Sequence, residues 1–367
     1  MKQLLIALLI PVLLTACGTA TPASTPEPAG TDDSLSIPTV RTTPVATFTP
    51  VPPPTETPLP TPSAQVITPD NLNLLLAARD LGRHPMAIYG VAVSADAQLV
   101  ASASADGRVR VFDTVTGAQL YELAAHEDIA YAVAFSPDAS RLASGGRDRT
   151  VQLWQPLSGE RIIGIRTPGE DFRVAFSPEG SRFAATGYYS AIGEVWDAET
   201  GGSLFTLEGH ETRLRAVAWD PQGRYLATSD QNGVILIRDA ADGTPVHTIY
   251  QYVGEPISLA FSPDGVLLAV GTTRGNLTTW DVETQELVQT WFPHAGEVWG
   301  LAWAPNGKML ISSGADGAVR FWDPDTKERL RSITDHRSPV RGLAISLDGT
   351  AIVSGGDDRR VMLWRVE

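Results

Sequence analysis

From about residue 71 onward the chain alternates apolar and polar residues in short runs. Examples are "RVRVF" (Arg108–Phe112), "TVQLW" (Thr150–Trp154), "AVRFW" (Ala318–Trp322) and "RVMLW" (Arg360–Trp364). A period of two is the mark of β-strands with one buried face. The runs end at a recurring position: Phe112, Trp154, Trp196, Arg238, Trp280, Trp322 and Trp364 follow one another at steps of 42 residues. Eighteen residues before each lies a second slot, held by Ser94, Ser136, Asp220, Ser262, Ala304 and Ser346. It opens stretches such as "SPDG", "DPQG" and "APNG", whose Pro, Asp, Asn and Gly favour turns. The third repeat reaches this turn one residue early, at Ser177, and recovers the residue in the longer "TGYYSAIG". The pattern predicts an all-β region built from seven copies of one unit, with no helix evident inside the repeats.

The histidines fall on the same grid. His84, His126, His210, His294 and His336 stand at multiples of 42 residues, with Pro168 and Tyr252 at the two vacant places. A metal site needs ligands converging within about 2 Å of one ion, and histidines spread over separate repeats do not converge. No metal site is expected.

Units of this length, with "EGH" (Glu208–His210), an "FSPDG" turn (Phe261–Gly265) and a terminal "WD" (Trp196–Asp197), resemble WD40 repeats. The resemblance covers roughly residues 71 to 367. It implies a seven-bladed β-propeller, one four-stranded blade per repeat. It further implies that a polar tetrad of His, Ser or Thr, Asp and Trp ties the strands of a blade together. By position, full tetrads are His126, Ser144, Asp148 and Trp154; His294, Ser312, Asp316 and Trp322; and His336, Ser354, Asp358 and Trp364. The first repeat keeps His84, Ser102 and Asp106 but has Phe112. The repeats with Pro168, Arg238 and Tyr252 depart from the pattern, and those blades are expected to be less rigid.

The chain ends three residues after Trp364, before the last repeat has an outermost strand. One full ring earlier on the grid lies Asp70, so "NLNLLLAARDLGRH" (71–84) occupies the missing positions. A strand near Leu74 to Leu81 is therefore expected to complete the last blade, closing the ring and covering a sheet edge. The expected propeller runs from residue 70 to 367.

The N-terminal stretch has a different composition. "MKQLLIALLIPVLLTAC" sets Lys2 before an apolar run from Leu4 to Leu14. The run is too short for a bilayer, which takes about 20 residues, but it suits a secretory signal. "LTAC" resembles the bacterial lipobox, and Cys17 is the only cysteine in the chain. By that resemblance residues 1–16 are a lipoprotein signal peptide and Cys17 is lipidated. The protein would then be anchored outside the cytoplasmic membrane, in the cell envelope, periplasm or cell surface. Residues 17–69 then form a linker, with 13 prolines and 13 threonines between Gly18 and Pro69. Such a segment cannot bury a core and is expected to be a disordered tether.

The formal charge of −14 argues against a grip on nucleic acid. No catalytic set, cofactor site or phosphate-cradling loop is recognisable, and no enzyme activity is expected. The resemblance puts the slot histidines and aspartates on the face where many WD-repeat proteins bind peptides or proteins. Five residues after the histidine, at the mouth of the central channel, stand Tyr89, Tyr131, Arg215, Ile257, Trp299 and Arg341. Phe172 takes this place in the shifted third repeat, and Arg147, Arg173 and Arg213 lie nearby. Aromatics and arginine are enriched at interface hot spots, and a solvent-facing ring has no packing need for four aromatics. The partner-binding face is thus expected at Tyr89, Tyr131, Phe172, Arg147, Arg213, Arg215, Trp299 and Arg341. Its arginines are expected to make it less negative than the rest of the domain. The preferred reading is a monomeric, membrane-anchored scaffold for a protein or peptide. The alternative is a propeller that senses a small ligand or glycan in its channel.

Overall fold

The structure, a computed structural model, describes residues 65–366 apart from 168, 170, 171 and 188, and only the backbone of Ala77, Ala78 and Phe172. The signal peptide, Cys17 and the linker as far as residue 64 lie outside the described residues.

Seven four-stranded antiparallel sheets form the blades of a β-propeller. Six are continuous in sequence, from Ile88–Val93 through Gln119–Ala124 in the first to Val298–Trp303 through Arg329–Ile333 in the sixth. The seventh is assembled from both ends of the domain. Val340–Ile345, Ile352–Gly356 and Arg360–Val366 pair in turn, and Leu75–Arg83 adds as the outermost strand. Leu75 lies opposite Val366 and Arg83 opposite Arg360. The expected closing strand is present, and the edge that Arg360–Val366 would expose is paired along its length.

The closure extends further than the pattern indicates. Gln65 bridges to Val366, the Ile67 amide donates to the Gly349 carbonyl at 2.8 Å, and Pro69–Leu74 forms a 3₁₀ helix. Ile67, Leu72 and Leu75 are buried with Met309 and Phe321 of the sixth blade and Trp364 and Val366 of the seventh. Gln65 to Pro69 therefore belong to the propeller, although composition assigns them to the linker. A single apolar pair, Val66–Ile67, next to a Thr/Pro-rich stretch is too short to carry a periodic signal. Each fully buried apolar side chain of this size stabilises by about 2 kcal/mol.

The tryptophan slot lies between blades. Trp154 packs with Leu99, Val109 and Val111 of the first blade, and Trp322 with Ala269, Leu277 and Trp291 of the fifth. The polar ties run through these residues. His126 Nδ1 meets Asp148 at 3.0 Å, its Nε2 meets Ser144 Oγ at 3.0 Å, and Trp154 Nε1 donates to the same Oγ at 3.0 Å. His294, Ser312, Asp316 and Trp322 repeat the arrangement at 2.8–3.0 Å, as do His336, Ser354, Asp358 and Trp364 at 2.8–2.9 Å. The serines are fully buried, so these sets are internal hydrogen-bonding groups rather than solvent-facing nucleophiles. In the first blade His84 meets Ser102 at 2.7 Å and Asp106 at 3.4 Å, and Phe112 adds no donor.

Two of the departing repeats are tied by other residues. In the fourth blade His210 bonds Thr228 and Asp230, and the Arg238 Nε donates to Thr228 Oγ1 at 2.9 Å in place of an indole. Arg238 is wholly buried, bonds the Gly243 carbonyl, and has no partner for Nη2. That burial pulls its pKa down to about 10. In the fifth blade Gln251 and Trp280 both donate to Thr278 Oγ1 at 2.9 Å, while Tyr252, at the vacated histidine slot, is 84% exposed. Pro168 of the third repeat lies outside the described residues.

Candidate functional site

The channel mouth is built by one repeated backbone device. In six of the seven blades the pairing of the two innermost strands skips a residue. The residues skipped are Tyr89, Tyr131, Arg215, Ile257, Trp299 and Arg341. A β-bulge leaves its extra residue out of the ladder and re-aims the side chain. Here all six line a cavity of about 170 Å³ at the mouth of the channel, together with Arg173, Thr273 and Glu297. In the third blade the ladder is unbroken, Phe172 pairing with Gly187 and Arg173 with Thr186. Arg173 lines the cavity there, and the side chain of Phe172 lies outside the described residues.

Four of these side chains form a continuous stack. The Arg341 guanidinium lies 4.3 Å from the Trp299 ring centroid and 4.9 Å from that of Tyr89. Tyr89 in turn meets Tyr131 edge to face, with centroids 5.0 Å apart and planes at 73°. Cation–π and edge-to-face contacts of this kind contribute about 0.5–1.5 kcal/mol each. The stack runs unbroken through the sixth, seventh, first and second blades, so the sequence-stretches it comes from meet only because the ring closes.

The mouth is not the basic surface that its arginines suggest. Arg341 holds Asp357 through two nitrogens, at 2.5 and 2.9 Å. Burial works against the Arg341 charge, but the Asp357 carboxylate outweighs it and raises the guanidinium pKa above its ordinary value. Arg215 donates to Glu255 through Nε at 2.9 Å and also through Nη2. Arg147 lies 3.8 Å from Asp128, half-exposed and away from the cavity, and Arg213 also lies outside its lining. Of the eight residues expected on this face, Tyr89, Tyr131, Arg215, Trp299 and Arg341 are brought together.

The carboxylates escaped the reading of the sequence because each occurs in few repeats. A signal nevertheless exists. Glu255 and Glu297 share the slot three residues after the histidine position with Arg213, and Asp357 shares a slot with Arg147 and Thr273. Stepping those two slots by 42 residues would have placed them at the rim.

A second stretch of channel, also about 170 Å³, continues past Val91, Val133, Leu301 and Leu343. The two stretches share Tyr89, Tyr131, Arg173, Ile257, Trp299 and Arg341 in their linings and form one continuous channel. What the mouth offers is a charge-balanced rim with one aromatic side, suited to seating a side chain or turn of another molecule.

Comparison with known families agrees with this architecture. A family model described as the IFT122 first beta-propeller matches residues 87–295. The model of the WD domain, G-beta repeat, matches residues 285–323 and 327–365. No curated protein matches the chain. Propellers of WD repeats are generally scaffolds for protein interaction. With more than half its length matched by one such model and its last two repeats by the other, the chain belongs to the WD40 β-propeller family.

Proposed function

We propose that the protein is a membrane-anchored, extracytoplasmic scaffold that binds a protein or peptide partner at the channel mouth. The stack of Trp299, Arg341, Tyr89 and Tyr131 carries the binding half of this reading. Large amphipathic rings held in place lose little entropy on binding and concentrate contact area, which is why such residues dominate hot spots. The anchoring half rests on "LTAC" and on Cys17 being the only cysteine. Both halves are testable in one strain background. Chemical crosslinking in intact cells, followed by purification of the full chain, identifies the partner, whose affinity is then measured directly. Trp299→Ala combined with Arg341→Ala is expected to weaken that affinity at least about thirtyfold, since a hot-spot truncation costs about 2 kcal/mol or more. Unchanged affinity in the double variant rules the mouth out. Cys17→Ser is expected to abolish metabolic lipid labelling, and normal labelling of that variant rules the anchor out.

A further inference from the structure

The outer edge of the seventh blade carries a second feature, independent of the channel mouth. Arg83, at the end of the closing strand, lies opposite Arg360 in the ladder, and Arg337 follows the tetrad histidine of the same blade. With Asp358 these three arginines line a concavity of about 240 Å³. Arg360 is held by Asp80 through Nε at 2.9 Å. The side chains of Arg83 and Arg337 are exposed and have no hydrogen-bond or ion-pair partner among the described residues. Asp358 lines the concavity but makes no ion pair with Arg83 or Arg337 among the described residues. Its Oδ2 accepts from His336 Nδ1 at 2.9 Å and from the Arg337 backbone at 3.3 Å, and its Oδ1 from the Arg360 backbone at 3.1 Å.

Converging guanidinium groups repel one another, and a chain of formal charge −14 has acidic residues to spare for pairing them. The fold does not demand the cluster either, because the other repeats are internal controls. By strand pairing and repeat position, the equivalent three positions in the other six blades hold two basic residues in all, Arg108 in the first and Arg166, opposite Thr150, in the second, and the Arg337 slot holds Glu127 and Glu211 in two of them. Three arginines meet at one concavity in the closing blade alone.

We propose that Arg83, Arg337 and Arg360 form a binding site for a tetrahedral oxyanion, a phosphate or sulfate group. The planar forks of the two unpaired guanidiniums match the oxygens of such a group in pairs, and a doubly charged oxyanion offsets both. A single carboxylate offers two oxygens and one charge, which leaves one arginine unsatisfied. The group can belong to a small solute or to a lipid whose headgroup is a phosphate monoester; the chemistry of recognition is the same.

The test uses the full chain and pyrophosphate, titrated calorimetrically at constant ionic strength, with chloride as the reference anion. Saturable 1:1 binding is expected, weakened about tenfold by Arg337→Gln and more by Arg83→Gln with Arg337→Gln. Arg337→Lys, which keeps the charge but loses the fork, is expected to fall between wild type and Arg337→Gln. Arg274→Gln, removing another exposed arginine on the fifth blade, is expected to change nothing. Binding of phosphatidate vesicles, whose headgroup is a phosphate monoester, but not phosphatidylcholine vesicles, in competition with pyrophosphate supports the site and assigns the group to lipid. Pyrophosphate binding without vesicle binding supports it and assigns the group to a solute. Non-saturable binding, or equal losses in Arg274→Gln and Arg337→Gln, overturns the proposal.

Discussion

In the half of the ring made by blades six, seven, one and two, every slot histidine is bonded to a serine and an aspartate of its blade. The other half, blades three to five, keeps one slot histidine, His210, whose tie ends in a buried arginine. The aromatic side of the channel mouth follows the same division. Trp299, Arg341, Tyr89 and Tyr131 stand on the first half, and Arg173, Arg215 and Ile257 on the second. The hydrogen-bonded frame and the stack of large side chains thus coincide. A recognition surface works best on elements whose own geometry is fixed by packing and buried bonds. The comparison teaches that the repeats are not equivalent, and that the run of four blades whose slot histidines are tied to serines carries the surface most suited to binding.

The strongest way to break this contrast is at the closure of the framed half. Deleting residues 67–83 removes the outermost strand of the seventh blade, exposes the outer edge of Arg360–Val366 and strips Ile67, Leu72 and Leu75 from the core. The expected result is loss of the cooperative thermal transition and aggregation in size-exclusion chromatography. Next in size is Ser354→Ala, which leaves His336 Nε2 and Trp364 Nε1 without their acceptor or donor in a buried layer. Each orphaned group costs about 1–3 kcal/mol, so chemical denaturation should show a loss of about 3–4 kcal/mol.

What the sequence revealed depended on repetition. Strands, turns, tetrads and ring closure recur every 42 residues or follow from counting round the ring, and a signal repeated seven times survives individual exceptions. Features that occur once did not show. The bulges that aim Tyr89, Trp299 and Arg341 into the mouth are backbone irregularities with no residue signature, and the unbulged third blade presents Arg173 instead. The pairing of Arg341 with Asp357 and of Arg215 with Glu255, which balances the arginines of the rim, did not show, because partners 16 and 40 residues apart are joined only by the fold. Arg238 and Gln251 show the converse. Both repeats read as untied, yet each supplies a substitute donor to a threonine.

Acid separates the first blade from its fully tied neighbours. Burial, reinforced by the Arg110 charge, lowers the His84 pKa to about 4, and burial holds His294 below its ordinary value too. A histidine kept neutral by the fold takes up protons more readily when unfolded. Its contribution is therefore complete above about pH 6.5 and is lost as pH falls toward 4. For His84 this amounts to about 3 kcal/mol. Asp148 and Asp316 behave differently. Burial opposes their charge, but hydrogen bonds from His126 and His294 prevail and bring both to about 2. Their contribution persists to about pH 4 and disappears below it. Thermal midpoints of the wild type should fall between pH 6.5 and 4, and His84→Gln should flatten that slope. An unaltered slope in His84→Gln would place the titration elsewhere.

A smaller effect of opposite sign is expected in the weakly tied half. Arg238→Trp replaces a buried guanidinium lacking a carboxylate with an indole that can donate to Thr228, as Trp154, Trp322 and Trp364 donate to their serines. Exchanging a buried charged group for a well-packed apolar one stabilises by about 1–2 kcal/mol. A rise in the thermal midpoint checks it, and a fall would show that Arg238 answers a need the tetrad does not.

The division of the mouth into a binding side and a passive side is the central claim, and paired substitutions across it are its most direct test. The affinity of the crosslinked and purified partner is measured for Trp299→Ala, on the stacked side, and for Arg215→Ala, on the opposite side of the same cavity. The expected outcome is a loss of about thirtyfold or more for Trp299→Ala and less than about threefold for Arg215→Ala, with both proteins folded. Equal losses, or a larger loss for Arg215→Ala, would contradict the claim.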